Sequence, residues 1–95
     1  MSKGYWVAMV DVTDPDNYLK YVTANGAAFE KYGATFLARG GRHTSPESPT
    51  GTRHVIIEFE SYEKALACYH SPEYQTALKL RLAYSTAQFA ILEGV

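Results

Sequence analysis

A chain of 95 residues holds one domain and buries roughly 60–65% of the surface its unfolded form exposes. Apolar content of 46% with 20% charged residues excludes a disordered chain, and a net charge of −1 without a basic run offers nucleic acid no electrostatic footprint. The single cysteine, Cys68, rules out an internal disulfide and suits a reducing compartment, and no apolar run approaches the roughly 18 residues of a membrane span; a cytoplasmic protein without a membrane partner is expected.

Taken in order, residues 5–12 read as a first strand. Trp6, Ala8, Val10 and Val12 lie on one face, and Tyr5, Val7, Met9 and Asp11 on the other. Asp14 then suits an N-cap, Pro15 the first helical position and Asp16 the positive end of the helix dipole. A helix to about residue 32 is predicted, with Leu19, Val22, Gly26 and Phe29 as its buried stripe, Tyr18, Tyr21 and Asn25 beside it, and Gly33 as its left-handed stop. Residues 34–40 form a second strand, with Arg39 on the face of Thr35 and Leu37, opposite Phe36 and Ala38. The dozen residues of 41–52, rich in Pro, Ser, Thr and Gly, form a long connection of the kind that often carries function.

The central strand is Arg53-His54-Val55-Ile56-Ile57-Glu58-Phe59-Glu60, in which Val55, Ile57 and Phe59 alternate with His54, Ile56 and Glu58. Ser61 caps a further helix that breaks at Ser71-Pro72, where Ser71 caps another through Tyr74, Ala77, Leu78 and Arg81 to about residue 84. Residues 87–93 close the chain as a fourth strand. The order βαββαβ predicts a single α+β, ferredoxin-like domain over residues 1–95, with an antiparallel sheet of order 4-1-3-2 and helices on one face. Val55, Ile57 and Phe59 are assigned to the helix side. In that order Asp11, Arg39 and His54 fall at one end of the sheet, the Tyr69-His70-Ser71-Pro72 break is expected there too, and Asp11, Arg39, His54 and Glu58 share a face if no bulge shifts the register.

Two runs, Gly4-Tyr5-Trp6-Val7-Ala8 through Val10-Asp11-Val12-Thr13-Asp14-Pro15 and Phe36-Leu37-Ala38-Arg39-Gly40-Gly41, resemble the bacterial family known as domain of unknown function 1330. Val55-Ile56-Ile57-Glu58-Phe59, with Ala65-Leu66-Ala67-Cys68-Tyr69-His70-Ser71-Pro72-Glu73-Tyr74-Gln75, is similar to its second half. The resemblance implies a dimeric α+β barrel, two ferredoxin-like sheets paired face to face. Its superfamily includes cofactor-free monooxygenases, haem-degrading enzymes and muconolactone-type isomerases, although the family itself has no assigned reaction.

The candidate site follows from these placements. Arg39 is a bidentate partner for a ligand's acidic group or for Asp11 or Glu58, and His54 is a candidate general base oriented by Asp11. Glu58, set among apolar neighbours, needs a partner across the sheet, across an interface or in a ligand. Tyr18 and Tyr69 are candidates to stack on a planar ligand, with ordinary aromatic packing as the alternative. Cys68 and His70, two apart on a helix, do not face each other, and neither a metal site nor a phosphate loop is recognisable. Taken with the resemblance, which implies an oxygenase or isomerase, the expected function is binding of a compact anionic or aromatic metabolite by a cofactor-free homodimer. A non-catalytic binding or assembly module is the alternative.

Overall fold

The computed structural model describes residues 2–95. Strand β1 (Gly4–Val12) buries Gly4, Trp6, Ala8 and Val10 on one side and leaves Tyr5, Val7 and Met9 half-buried on the other. The Asp14 carboxylate caps α1 (Pro15–Ala24), accepting from the Asn17 backbone N–H at 3.2 Å and from the Asn17 side-chain amide at 2.8 Å. Those bonds hold the Asp14 carboxyl below its ordinary value.

The predicted single helix is in fact two. The Asn25 N–H turns back on the Thr23 and Tyr21 carbonyls to close α1, and α2 (Gly26–Tyr32) begins there, ending at Gly33 with φ 67°. The buried stripe is Tyr18, Tyr21, Asn25, Ala28 and Phe29, and Leu19 is 64% exposed. The helical period is the predicted one, displaced by one residue because the two tyrosine rings, which bury more area than a leucine, take the core positions.

Strand β2 (Thr35–Arg39) leads through residues 40–52 to β3 (Arg53–Phe59). The Ser61 hydroxyl caps α3 (Tyr62–His70) by accepting from the Lys64 N–H at 3.1 Å. Ser71 then works in both directions, donating to the Cys68 carbonyl at 2.7 Å and accepting from the Tyr74 N–H at 3.1 Å to cap α4 (Pro72–Tyr84). Strand β4 (Ser85–Glu93) starts two residues before its predicted position, Ser85 pairing with Val12.

The sheet order is β2-β3-β1-β4, every neighbour antiparallel, with the helices on one face, as the ferredoxin-like reading requires. Val55, Ile57 and Phe59 pair with Ala8, Trp6 and Gly4 on the helix side. Trp6 is the hub of the core. Its ring lies 4.7 Å from Tyr74, 5.2 Å from both Phe59 and Phe89 and 5.4 Å from Phe29, and its indole N–H donates to the Ala65 carbonyl at 3.0 Å. Among the described residues no helix is long and apolar enough to cross a membrane.

The break between α3 and α4 lies at the end of the sheet opposite to the one expected. Glu73, just past the break, pairs with Lys31 at 3.0 Å, and Lys31 sits in the last turn of α2, next to the start of β2. That end of the sheet is marked by Gly4 and Glu58, away from Asp11.

Candidate functional site

The pairing of β2 with β3 decides where the arginines go. Thr35 faces Glu58 and Phe36 faces Ile57, but the next pairs are Ala38 with Ile56 and Arg39 with Val55, so Leu37 is the extra residue of a β-bulge. Regular alternation would have put Arg39 beside Asp11, His54 and Glu58. The bulge turns it to the helix side, where its guanidinium lies 3.9 Å from the centre of the Phe36 ring.

There Arg39 joins an enclosed space between the helices and the sheet. It is lined on the sheet side by Trp6, Val10, Phe36, Arg53 and Phe89, and on the helix side by Tyr18, Tyr21, Asn25, Tyr74 and Arg81. It is a cavity of about 30 Å³, room for about two waters.

Three guanidinium groups converge on this space. Arg53 alternates with His54 on β3 and so points to the helix side, 5.7 Å from the Tyr18 ring and against the backbone of Gly40. Gly40 has φ 67°, the left-handed conformation that favours glycine, and a Cβ there would push the Arg53 guanidinium aside. Arg81, only 7% exposed, donates from Nε to the Tyr74 hydroxyl at 3.3 Å and lies 5.2 Å from the Phe89 ring. Tyr74 shares a second bond, 2.9 Å, with the Tyr21 hydroxyl.

Burial raises the Tyr21, Tyr74 and Tyr18 phenols. At Tyr18 the nearby charges of Arg53 and Arg81 pull against that rise. No carboxylate lines the space among the described residues, and the ion pairs found among them, Lys31–Glu73 and Lys64–Glu60, involve none of the three arginines. Two buried polar atoms on its wall have no partner, the Arg53 Nε and the Asn25 Oδ1.

The other face of the sheet is uncovered and holds the remaining candidates. Glu58 faces Tyr5 across the β1–β3 pair and accepts from its hydroxyl at 3.2 Å; burial, with this bond and charge in support, raises the Tyr5 phenol. The His54 Nε2 bonds the Thr50 hydroxyl at 2.7 Å, Thr50 bonds Ser45 at 2.5 Å, and the His54 ring lies 4.2 Å from that of His43. Asp11 is exposed and lines a cleft beneath the 40–52 loop with Met9, Thr50 and Thr86. Among the described residues no hydrogen bond joins His54 to Asp11, and no group of three His, Cys, Asp or Glu side chains is placed to hold a metal.

The family model described as "Domain of unknown function (DUF1330)" matches residues 3–95. This chain belongs to the DUF1330 family. No curated protein matches it. Among solved structures, a protein of unknown function from Rhodopseudomonas palustris superposes with a TM-score of 0.80 at 18% identity, covering 99% of this chain and 83% of that one. SnoaB, a cofactor-independent oxygenase from Streptomyces nogalater, superposes with a TM-score of 0.65 at 10% identity, over 97% and 92% of the two chains. A dimeric protein of unknown function with a ferredoxin-like fold, from Bacteroides fragilis, gives 0.55 at 14%, over 96% and 93%. At such identities the likeness establishes the ferredoxin-like fold and nothing finer.

In this DUF1330 chain the six candidate residues fall into separate places. Arg39 and Tyr18 meet at the space between helices and sheet. Glu58, His54 and Asp11 stand on the opposite face. Tyr69 stacks on Phe89 at 5.4 Å and packs edge-on to Trp6 at 6.0 Å, as part of the core. Sequence reasoning passed over Arg53, Arg81 and Asn25 as functional residues. The signal for Arg81 was present, since it follows Tyr74, Ala77 and Leu78 at helical spacing and therefore had to be buried with its charge.

Proposed function

We propose that this DUF1330 protein binds a small planar metabolite in the space between helices and sheet and promotes its reaction with dioxygen without a cofactor. The observation that carries the reading is the set of Arg39, Arg53 and Arg81 around an aromatic space with, among the described residues, no acidic partner. Cations lining such a space, of which Arg81 is buried, set up a positive potential that favours the anionic form of a bound phenol or enol and lowers its pKa. Such an anion, its proton released to solvent water, gives one electron to dioxygen, and the substrate radical and superoxide so formed combine to a peroxide. His and carboxylate side chains are missing from the described lining, which agrees with that division of labour. SnoaB, with the same fold, carries the description of cofactor-independent oxygenase, and this supports the choice of reaction.

The uncovered sheet face supports a homodimer: Val7, Met9, Ile56 and Leu92 lie on it with no helix to cover them, and the Bacteroides relative is described as dimeric. In that arrangement Glu58 and Asp11 meet the partner sheet. Light scattering at micromolar concentration should give twice the monomer mass; a monomer mass refutes the pairing. A free Cys68 thiol agrees with work in a reducing compartment such as the cytoplasm.

A second reading rests on the open face, where the buried His54 Nδ1 has no partner and Asp11 lines the neighbouring cleft. There the pair would move a proton, as in an isomerase. An oxygen electrode separates the readings. Purified protein with a chelator present should consume dioxygen with quinol or polyphenol substrates, lose that activity in Arg39→Met, and keep it in His54→Gln. Binding without oxygen uptake leaves a non-catalytic ligand-binding module. Activity lost in His54→Gln and kept in Arg39→Met transfers the reaction to the open face.

A further inference from the structure

Resting on the proposed ligand space and sharpening it, we infer that its ligand is an aromatic acid whose carboxylate lies at the arginine end and which carries a hydrogen-bond donor toward Asn25. Two independent sets of observations lead there, one for each end of the space.

The first concerns direction. Arg53 pairs with Val10, Arg39 with Val55 one step further in, and Arg81 lies four residues before Ser85, which pairs with Val12. Val55 pairs with Ala8 at the middle of β1, so the three arginines lie between that middle and the end of the strand at Val12. Trp6, Phe36 and Ile57 lie on the other side of the middle, toward Gly4. The lining is thus cationic at one end and aromatic beyond it. An aromatic ring entering first would leave an acidic group among the arginines.

The buried Arg81 makes the charge requirement specific. A guanidinium stays protonated under ordinary conditions, and one that is 7% exposed with a single neutral hydroxyl as partner carries an uncompensated charge. A carboxylate completes it in the bidentate geometry that guanidinium favours. The Arg53 Nε, buried and without an acceptor, makes the same demand beside it.

The second set concerns Asn25. It is 5% exposed, its Oδ1 has no partner, and it borders the same space. A buried amide oxygen left open asks for a donor. Asn25 follows the last residue of the ten-residue α1, about 15 Å of helix away from the Asp14 cap that marks the cationic end. The ligand therefore needs its donor on the side of the ring remote from its acid. A benzene-sized ligand needs a cavity of about 150 Å³. The cavity of about 30 Å³ is smaller, so the aromatic lining must part to admit the ring, and exposed Arg39 and half-buried Arg53 must move aside on entry before closing over the carboxylate.

Trp6 is the sole tryptophan and lines the space, so its fluorescence reports occupancy directly. The protein is titrated with 4-hydroxybenzoate, benzoate, 4-methoxybenzoate, phenol and inorganic phosphate, with heat-denaturation midpoints as a second readout. 4-Hydroxybenzoate should bind most tightly, roughly 10-fold or more tighter than phenol, and its preference over 4-methoxybenzoate should vanish in Asn25→Leu. Arg39→Met, at an exposed position, should weaken all three benzoates about 10-fold and leave phenol unchanged; Arg81→Lys, which keeps the charge but loses the fork, should do the same.

Phenol binding as tightly as the benzoates overturns the acid assignment while the ligand space stands. Equal binding of the hydroxy and methoxy acids overturns the role of Asn25. Phosphate competing as strongly as benzoate reduces the site to a general anion site and refutes the aromatic acid. No change in Trp6 fluorescence or in melting with any of the five overturns the ligand space together with the inference.

Discussion

Removing the hydroxyl of Tyr74 tests the buried polar arrangement more sharply than any other single change. In Tyr74→Phe the ring keeps its place against Trp6, 4.7 Å away, so the packing is retained and only two hydrogen bonds are lost. The neutral bond to Tyr21 is worth about 0.5–1.5 kcal/mol, and the bond from the charged Arg81 about 1.5–3 kcal/mol. Both partners are left buried, so the cost falls at about 2–4 kcal/mol. At roughly 4–8 °C for each kcal/mol in a chain of this length, the melting midpoint should drop by more than 8 °C. Tyr21→Phe is the built-in comparison. It removes only the neutral bond and leaves Arg81 its acceptor, for about 1 kcal/mol. Urea titrations followed by Trp6 fluorescence and by far-ultraviolet circular dichroism give both values. Equal losses in the two variants, or a loss below about 0.5 kcal/mol in Tyr74→Phe, would refute the chain of bonds from Tyr21 through Tyr74 to Arg81.

Alkaline conditions should unfold the protein in a defined window. The Tyr21 and Tyr74 phenols are raised above their ordinary value of 10.0, so above that pH the unfolded chain releases protons that the native state retains. Stability then falls as pH rises past 10, by up to about 1.4 kcal/mol per pH unit for each phenol, and urea midpoints that hold level from pH 9 to 11 would contradict it. Burial, with Glu73 adding to it, pushes the Cys68 thiol up from 9.0 to about 12, so a thiol reagent at pH 8 should label it only as fast as the protein opens; immediate labelling of native protein would count against its burial. Asp14→Ala removes the cap of α1 and should cost about 1 kcal/mol, measured by the same urea titration, while Asp14→Asn should recover most of it.

The fold was legible because it is written in periods. Alternation in residues 5–12 and 53–60, the caps at Asp14, Ser61 and Ser71, and the stop at Gly33 are local signals, and each is found where the chain places it. The site was less legible, for one physical reason that recurs. A single extra residue at Leu37 reverses the side taken by Arg39, and a shift of one residue along α1 exchanges Leu19 for Tyr18. Faces are set by tertiary pairing, and sequence spacing alone does not carry it. Arg53 and Arg81 were passed over because charged residues are usually exposed.

The overall charge of −1 conceals this arrangement. Ten acids against nine bases suggest an even surface, yet the lining between helices and sheet holds three of the bases and, among its described residues, none of the acids. A nearly neutral molecule does little to steer a charged ligand from a distance, and at physiological salt the exposed charges are screened beyond about 8 Å. The attraction of the arginines is therefore exerted after entry, where water is scarce and the effective dielectric is low. That separates two effects of salt. Raising ionic strength should scarcely change how fast an aromatic acid arrives. It should also weaken the final complex less than it would an exposed ion pair, because Arg81 is only 7% exposed. A strong dependence of the association rate on salt would instead place the capturing charge at the surface, on Arg39 alone.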